Sequence, residues 1–136
     1  MSAGYSGTPL HRKLGIGEGG TFALVDAPDD AAALLDPLPD GARRVARPEA
    51  ADVVIAFATA RKALARHLEG LAPAIFPDRM LWVAWPKRAS KAPTDITEDV
   101  VREVALPLGL VDVKVAAIDE TWSGLKLVWR REHRAG

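Results

Sequence analysis

Two short apolar runs dominate the hydrophobic pattern of this chain: residues 53–57, VVIAF, and residues 81–85, LWVAW. Neither alternates with polar residues, and both are short for a helix. A continuous apolar segment of this length, bounded by breaking residues, predicts a strand buried on both faces, as in the centre of a parallel sheet. The second run stops at Pro86 and passes into a polar, basic stretch, residues 87–95, KRASKAPTD. Ligands of open α/β sheets sit beyond the carboxyl ends of such strands. Trp85, Lys87, Ser90 and Lys91 are therefore candidate ligand contacts.

The remaining pattern alternates strands with helices. Residues 21–27, TFALVDA, predict a first strand broken by Pro28, after which Asp29 or Asp30 can cap a short helix over 31–35. Residues 43–46, RRVA, predict a weak strand at a sheet edge, because arginines interrupt it. The few residues 47–51 before the strand 52–58 are too short for a helical crossover. Either the weak strand runs antiparallel, or an extended loop crosses directly beneath the sheet. Thr59 is expected to cap a helix reaching about residue 74, with Leu64, Leu68, Leu71 and Ile75 on one stripe and Arg61, Lys62, Arg66 and Glu69 largely away from it. Asp95 stands three residues before Glu98, the spacing of a capping box. It predicts a helix that buries Val100, Val101, Val104 and Leu108, tightened or ended by Pro107, with Gly109 suited to the left-handed C-terminal position. A strand at 111–118, a turn at 119–124 and an antiparallel return at 125–131 follow, then a polar tail from residue 132 that is expected to fray.

Residues 1–20 form an N-terminal arm, with a turn at Tyr5-Ser6-Gly7-Thr8-Pro9 and one helical turn over 9–14 that points Leu10 and Leu14 inward. Gly15, Gly17 and Gly20 match the G-x-G-x-x-G spacing. That fingerprint works between a strand and the helix after it, where backbone approaches a pyrophosphate. Here the glycines precede the first strand, so they read as a turn into the sheet.

Composition bounds the function classes. The 136 residues fit one domain, placed at 21–131 between the arm and the tail 132–136. Lys plus Arg and Asp plus Glu are equal at 18 each, so no global field attracts nucleic acid or an anionic membrane. Arg43, Arg44 and Arg47 lack interleaved aromatics and read as an exposed edge, not a nucleic-acid platform. The absence of cysteine excludes thiolate chemistry and Cys-ligated zinc, and His11, His67 and His133 are too scattered to suggest a metal cluster. No apolar run approaches a membrane span and no signal core opens the chain, so a cytoplasmic location is expected. Ser6, Thr8, Ser90 and Ser123 are hydroxyls without a G-x-S-x-G elbow, which argues against a hydrolase.

Strands alternating with helices and closing on a β-hairpin resemble the layout of class I methyltransferases, as does the lead-in Lys13-Leu14-Gly15-Ile16 before a strand ending in Asp26. More specifically, the chain resembles an uncharacterised family of small bacterial proteins, a domain of unknown function. The motifs are YSGTPLHRKLGI (5–16), LWVAWPKRAS (81–90), TDITEDVVRE (94–103), LPLGLVDVKV (106–115) and DETWSGLKLV (119–128). The resemblance implies a single-domain three-layer α/β/α fold with a mostly parallel Rossmann-like sheet. Its last antiparallel strand enters between the strand at 81–85 and that at 111–118. Trp122 and Ser123 then lie on the same edge as Asp26, Thr59, Trp85 and Lys87.

Working methyltransferases follow the first strand with a glycine-rich loop, whereas this chain has Val25-Asp26-Ala27-Pro28-Asp29-Asp30. The segment expected to supply an acid for ribose hydroxyls is reduced to Val45-Ala46-Arg47-Pro48-Glu49. The expected function is thus a degenerate, non-catalytic domain that needs no cofactor and binds a small ligand or a protein partner in a regulatory or accessory role. An S-adenosylmethionine-dependent methyltransferase with an altered cofactor loop is the alternative, and a homodimer formed through the 43–46 edge is a third reading. The candidate ligand-binding residues are Asp26, Thr59, Trp85, Lys87, Ser90, Lys91, Trp122 and Ser123. Two indoles flanking lysines could hold a flat or anionic ligand. The alternative is that Trp85 and Trp122 complete the core while Lys87, Arg88 and Lys91 are solvated.

Overall fold

The structure, a computed structural model, describes residues 8–134. The expected turn at its Tyr5-Ser6-Gly7 portion lies outside the described residues. Helix α1 (Leu10–Leu14) leads into β1 (Thr21–Val25), α2 (Ala31–Leu34), β2 (Arg43–Arg44) and β3 (Val53–Phe57). Helix α3 (Arg61–Ile75), β4 (Met80–Pro86), α4 (Glu98–Ala105), β5 (Leu110–Ala117), β6 (Trp122–Trp129) and α5 (Arg131–Arg134) complete the order.

The six strands form one sheet in the order β2-β1-β3-β4-β6-β5. β2, β1, β3 and β4 are parallel, and β6 runs antiparallel to both β4 and β5. The returning strand therefore enters where the resemblance implies. β3 is buried at every position and β4 at all but Met80, so their sequences could dispense with polar residues.

The alternation of side chains splits the core into two layers. On one face Val54, Ala56, Leu81, Val83 and Trp85 pack under α3 and α4, with Leu64, Leu68 and Ile75 of α3 and Val101 and Ala105 of α4. On the other, Val53, Ile55, Phe57, Trp82 and Ala84 pack under α1 and α2, with Leu14, Ala31 and Leu35. The Trp82 indole N–H donates to the Leu14 carbonyl at 2.9 Å, and that of Trp129 to the Ala72 carbonyl at 2.8 Å. One indole thus ties α1 to the sheet, the other β6 to α3. Gly124 is required where β6 passes Trp82: a Cβ there would stand 3.1 Å from both the Trp82 ring and the Ile118 side chain.

β2 is parallel to β1, with Arg43 opposite Thr21. The chain therefore takes the direct-crossing route. Residues 45–52 pass over β1 on the α3 face through a 3-10 turn, Pro48–Ala50, that touches both α3 and β1. Arg79 fixes this crossing by donating to the carbonyls of Glu49, Ala51 and Ala74. Gly15 ends α1 with φ 89°, and residues 17–20 form a turn into β1, with the Gly20 amide on the Gly17 carbonyl at 3.0 Å.

Several boundaries differ from expectation. Strand β1 ends at Val25 because Asp26 turns into the left-handed region, with φ 53°. Trp122 and Ser123 lie inside β6 and not in the turn, which shortens to residues 118–121. The Asx geometry of Asp119 explains this: its Oδ1 accepts from the amides of Thr121 (2.8 Å) and Trp122 (2.7 Å) and closes the turn early. Beyond β6 the chain forms the short helix α5, with the His133 ring 6.1 Å from that of Trp129, where a frayed tail was expected.

The caps also differ. Helix α4 is capped by Thr97, whose Oγ1 accepts from the Val100 amide at 3.2 Å. Asp95 instead reaches the start of α3, where its Oδ1 accepts from the Arg61 amide at 2.7 Å. Thr59 caps nothing; Ala60 occupies the cap position of α3. Arg102 ties α4 to β5 through Asp112 at 2.9 Å and also bonds Glu98, and these two bonds hold its guanidinium above the usual arginine value.

Candidate functional site

The chain runs outward from β1 to β2 and then returns across β1 to β3, so the order reverses between β1 and β3. The carboxyl edge at such a switch point is where an open α/β sheet offers a crevice. Asp26, Thr59 and the segment after β4 all lie at this edge, on the ends of β1, β3 and β4. Their side chains and backbone groups are largely engaged by the protein itself.

Asp26 turns its exposed carboxylate to α3, where Oδ2 stands 3.0 Å from His67 Nε2. That nitrogen is buried and makes no hydrogen bond among the described residues, so the contact is a close approach off the hydrogen-bond line. Nothing in the sequence around His67 points to this neighbour. No local spacing could have signalled it, because the two residues stand on separate elements, Asp26 after β1 and His67 within α3.

Thr59 follows β3, and its carbonyl accepts from Thr94 Oγ1 at 2.6 Å. Asp95, next in the chain, occupies the Arg61 amide. The loop from β4 to α4 therefore clamps the end of β3 and covers the first free amide of α3. An external anion there would compete with an internal carboxylate.

The two edge tryptophans do not flank one ligand position. Trp85 is opposite Ser123 and Pro86 opposite Trp122 in the β4–β6 ladder. Because side chains alternate along a strand, Trp85 belongs to the α3/α4 face and Trp122 to the α1/α2 face. Trp85 is 6% exposed. Trp122 makes an edge-to-face contact with Phe57, with ring centroids 5.0 Å apart. The two indoles, which share this edge, are thus separated by the sheet.

Lys87 continues the line of Trp85. Its amide donates to the Thr121 carbonyl at 2.7 Å, carrying the ladder one step past β4. Trp85 and Lys87 then share a face with Ser123 and Thr121. Ser90 is engaged locally: its Oγ donates to the Lys87 carbonyl at 2.7 Å and accepts from the Ala92 amide at 3.2 Å. Lys91 is exposed and in the left-handed region, φ 61°, closing that turn. Of the eight sequence candidates, Trp85, Lys87 and Ser123 are brought together; Asp26, Thr59 and Ser90 have internal partners, Lys91 is exposed in the turn after β4, and Trp122 faces away.

A second surface lies at the outer edge. β2 stops after two residues while β1 continues, leaving a groove lined by Leu24, Arg44, Val45 and Ala46. A two-residue strand has little backbone to offer a second sheet. At the opposite edge a bulge between Asp112 and Lys114 interrupts β5, which blunts pairing there too. Among the described residues no group of three or more His, Cys, Asp or Glu side chains could hold a metal ion, and no helix is long and apolar enough to cross a membrane.

No family model and no curated protein matches the chain. Solved structures do. A S-adenosylmethionine-dependent methyltransferase from Aquifex aeolicus is similar at 14% identity and TM-score 0.55, over 85% of each chain. A protein of the NADB-Rossmann superfamily from Streptococcus agalactiae is similar at 12% identity and TM-score 0.57, over 90% of this chain and 68% of that one. Fibrillarin from Aeropyrum pernix, in complex with natively bound S-adenosyl-L-methionine, is similar at 15% identity and TM-score 0.51, over 92% and 70%. At these identities the likeness is one of fold: the chain has a Rossmann-like, class I methyltransferase-like α/β fold in a single small domain.

Proposed function

We propose that this is a non-catalytic methyltransferase-like domain that binds a small ligand or a protein partner at the carboxyl edge of β4 and β6, in a regulatory or accessory role. The observation that carries the reading is that internal groups fill the switch point. Asp95 takes the first amide of α3, Thr94 the Thr59 carbonyl, and Asp26 leans on His67. The Asp26–Asp30 segment after β1 also lacks the glycines that let backbone approach a cofactor, and Pro28 stiffens it. What stays available at the edge is the Trp85, Lys87 and Ser123 face. We also read the motif set as that of a family of small cytoplasmic bacterial proteins.

A thermal-shift panel tests this. A ligand that binds the native state raises Tm by mass action. The reading expects S-adenosylmethionine and S-adenosylhomocysteine to leave Tm unchanged at millimolar concentration. A concentration-dependent rise with either would overturn it. The second reading, a methyltransferase with an altered cofactor loop, is favoured by the fold shared with the S-adenosylmethionine-bound fibrillarin. In that case Asp26, Thr59, Trp85 and Lys87 would be its pocket walls.

A further inference from the structure

Indole N–H groups of buried tryptophans usually find an acceptor. Two of the four tryptophans here do so: Trp82 donates to Leu14 and Trp129 to Ala72. Trp85, though 6% exposed, has no acceptor for Nε1 among the described residues, and that nitrogen is not sealed from solvent. The N–H therefore keeps some contact with solvent, on a side chain that stands at the carboxyl end of β4.

The groups around it are fixed by register. Ser123 is directly opposite Trp85, and the Lys87 amide on the Thr121 carbonyl puts Thr121 beside Lys87. Residues two apart share a face, and opposite residues on neighbouring strands have Cβ atoms about 5 Å apart. One face of this edge therefore carries the buried Trp85 with an unpaired indole N–H beside half-buried Lys87, Thr121 and Ser123, an ammonium and two hydroxyls. None of these four side chains has a hydrogen-bond or ion-pair partner among the described residues. The nearest carboxylates in the sequence are diverted or exposed: Asp119 accepts two backbone amides, and Glu120 lies in the exposed turn.

We propose that Trp85 Nε1, Lys87 Nζ, Thr121 Oγ1 and Ser123 Oγ form a binding site for an oxyanion, a carboxylate or a phosphate group. Nε1–H and the hydroxyls donate to its oxygens, and Lys87 supplies the charge. The proposal rests on the reading of this edge as a ligand-binding surface and names the chemistry that surface takes. It involves Trp85 alone of the edge tryptophans, since Trp122 is on the other face.

The test uses the ¹⁵N-labelled full chain, whose four indole N–H signals are assigned with Trp→Phe variants. Inorganic phosphate, malonate and, as a neutral control, glycerol are titrated at constant ionic strength. A saturable downfield shift of the Trp85 signal is expected with at least one anion, with Trp82 and Trp129 unmoved and glycerol silent. Saturation by phosphate alone assigns a phosphate ligand, and by malonate alone a carboxylate. Lys87→Gln should weaken the apparent affinity about tenfold, as expected for removing a charge-assisted hydrogen bond; Ser123→Ala should weaken it less. No saturable shift with either anion, or an unchanged affinity in Lys87→Gln, overturns the site. Adding S-adenosylmethionine to the same sample separates the two ideas. Binding of that cofactor beside a saturable anion shift refutes only the non-catalytic reading, whereas silence of both anions with no cofactor binding refutes only the oxyanion site.

Discussion

Removing the Asp95 carboxylate should weaken the start of α3 and not the start of α4. In Asp95→Ala the Arg61 amide loses its acceptor at 2.7 Å, and the positive end of a 15-residue helix loses a carboxylate. An N-terminal capping side chain contributes about 0.5–2 kcal/mol, typically about 1. A carboxylate near a helix N-terminus adds roughly 0.3–1 kcal/mol at low salt, part of which is already counted in the cap. Asp95 is exposed, so water recovers some of the loss, and about 1 kcal/mol is expected. For a domain of this size that lowers Tm by roughly 3–5 °C. Asp95→Asn keeps an acceptor and should lose less than half as much, with the remaining difference shrinking in 1 M salt. Urea unfolding gives the magnitude, and hydrogen exchange gives the place. Faster exchange should appear at Arg61–Ala63 in Asp95→Ala, and at Val100 in Thr97→Ala. If Asp95→Ala instead loosened Val100 and left Arg61 protected, Asp95 would be capping α4 and the clamp over the end of β3 would not exist.

Other substitutions probe the frame that holds this edge. Val54 is fully buried, so Val54→Asp would bury an unpaired carboxylate and should abolish folding, seen as loss of the native circular dichroism spectrum. Gly109→Ala should cost several kcal/mol in urea unfolding, because Gly109 has φ 97° and a Cβ would meet the Trp129 ring at 2.8 Å. Trp82→Phe removes the donor to the Leu14 carbonyl and should lower stability by about 1–3 kcal/mol, with exchange rising first in α1. Hydrogen exchange in the wild type should be slowest at 54–57 and 82–84, the strands paired on both sides; rapid exchange there would rule out this core.

What the sequence disclosed follows from how local each signal is. The runs at 53–57 and 81–85 were legible because burial on both faces removes every polar residue, a pattern contained within five positions. The α3 stripe was legible for the same reason, and Leu64, Leu68, Leu71 and Ile75 are all buried. The caps were not. Asp95 has capping-box spacing to Glu98, but its partner is an amide 34 residues away, and only the packed loop decides between them. The Trp85–Trp122 pair failed on facing, not on place. The edge is legible, but which face Trp122 takes depends on the β4–β6 register, in which Trp122 stands opposite Pro86 and Ser123 opposite Trp85. His67 beside Asp26 left no sequence trace at all, since a histidine on an apolar stripe looks the same with or without a carboxylate above it.

The most direct measurement of the central claim is calorimetric titration of the full chain with S-adenosylmethionine. The filled switch point, with Asp95 on the α3 amide and no glycine loop after β1, predicts no saturable heat at micromolar protein and ligand. A dissociation constant in the low micromolar range would contradict the account and identify the domain as a cofactor-binding methyltransferase-like protein.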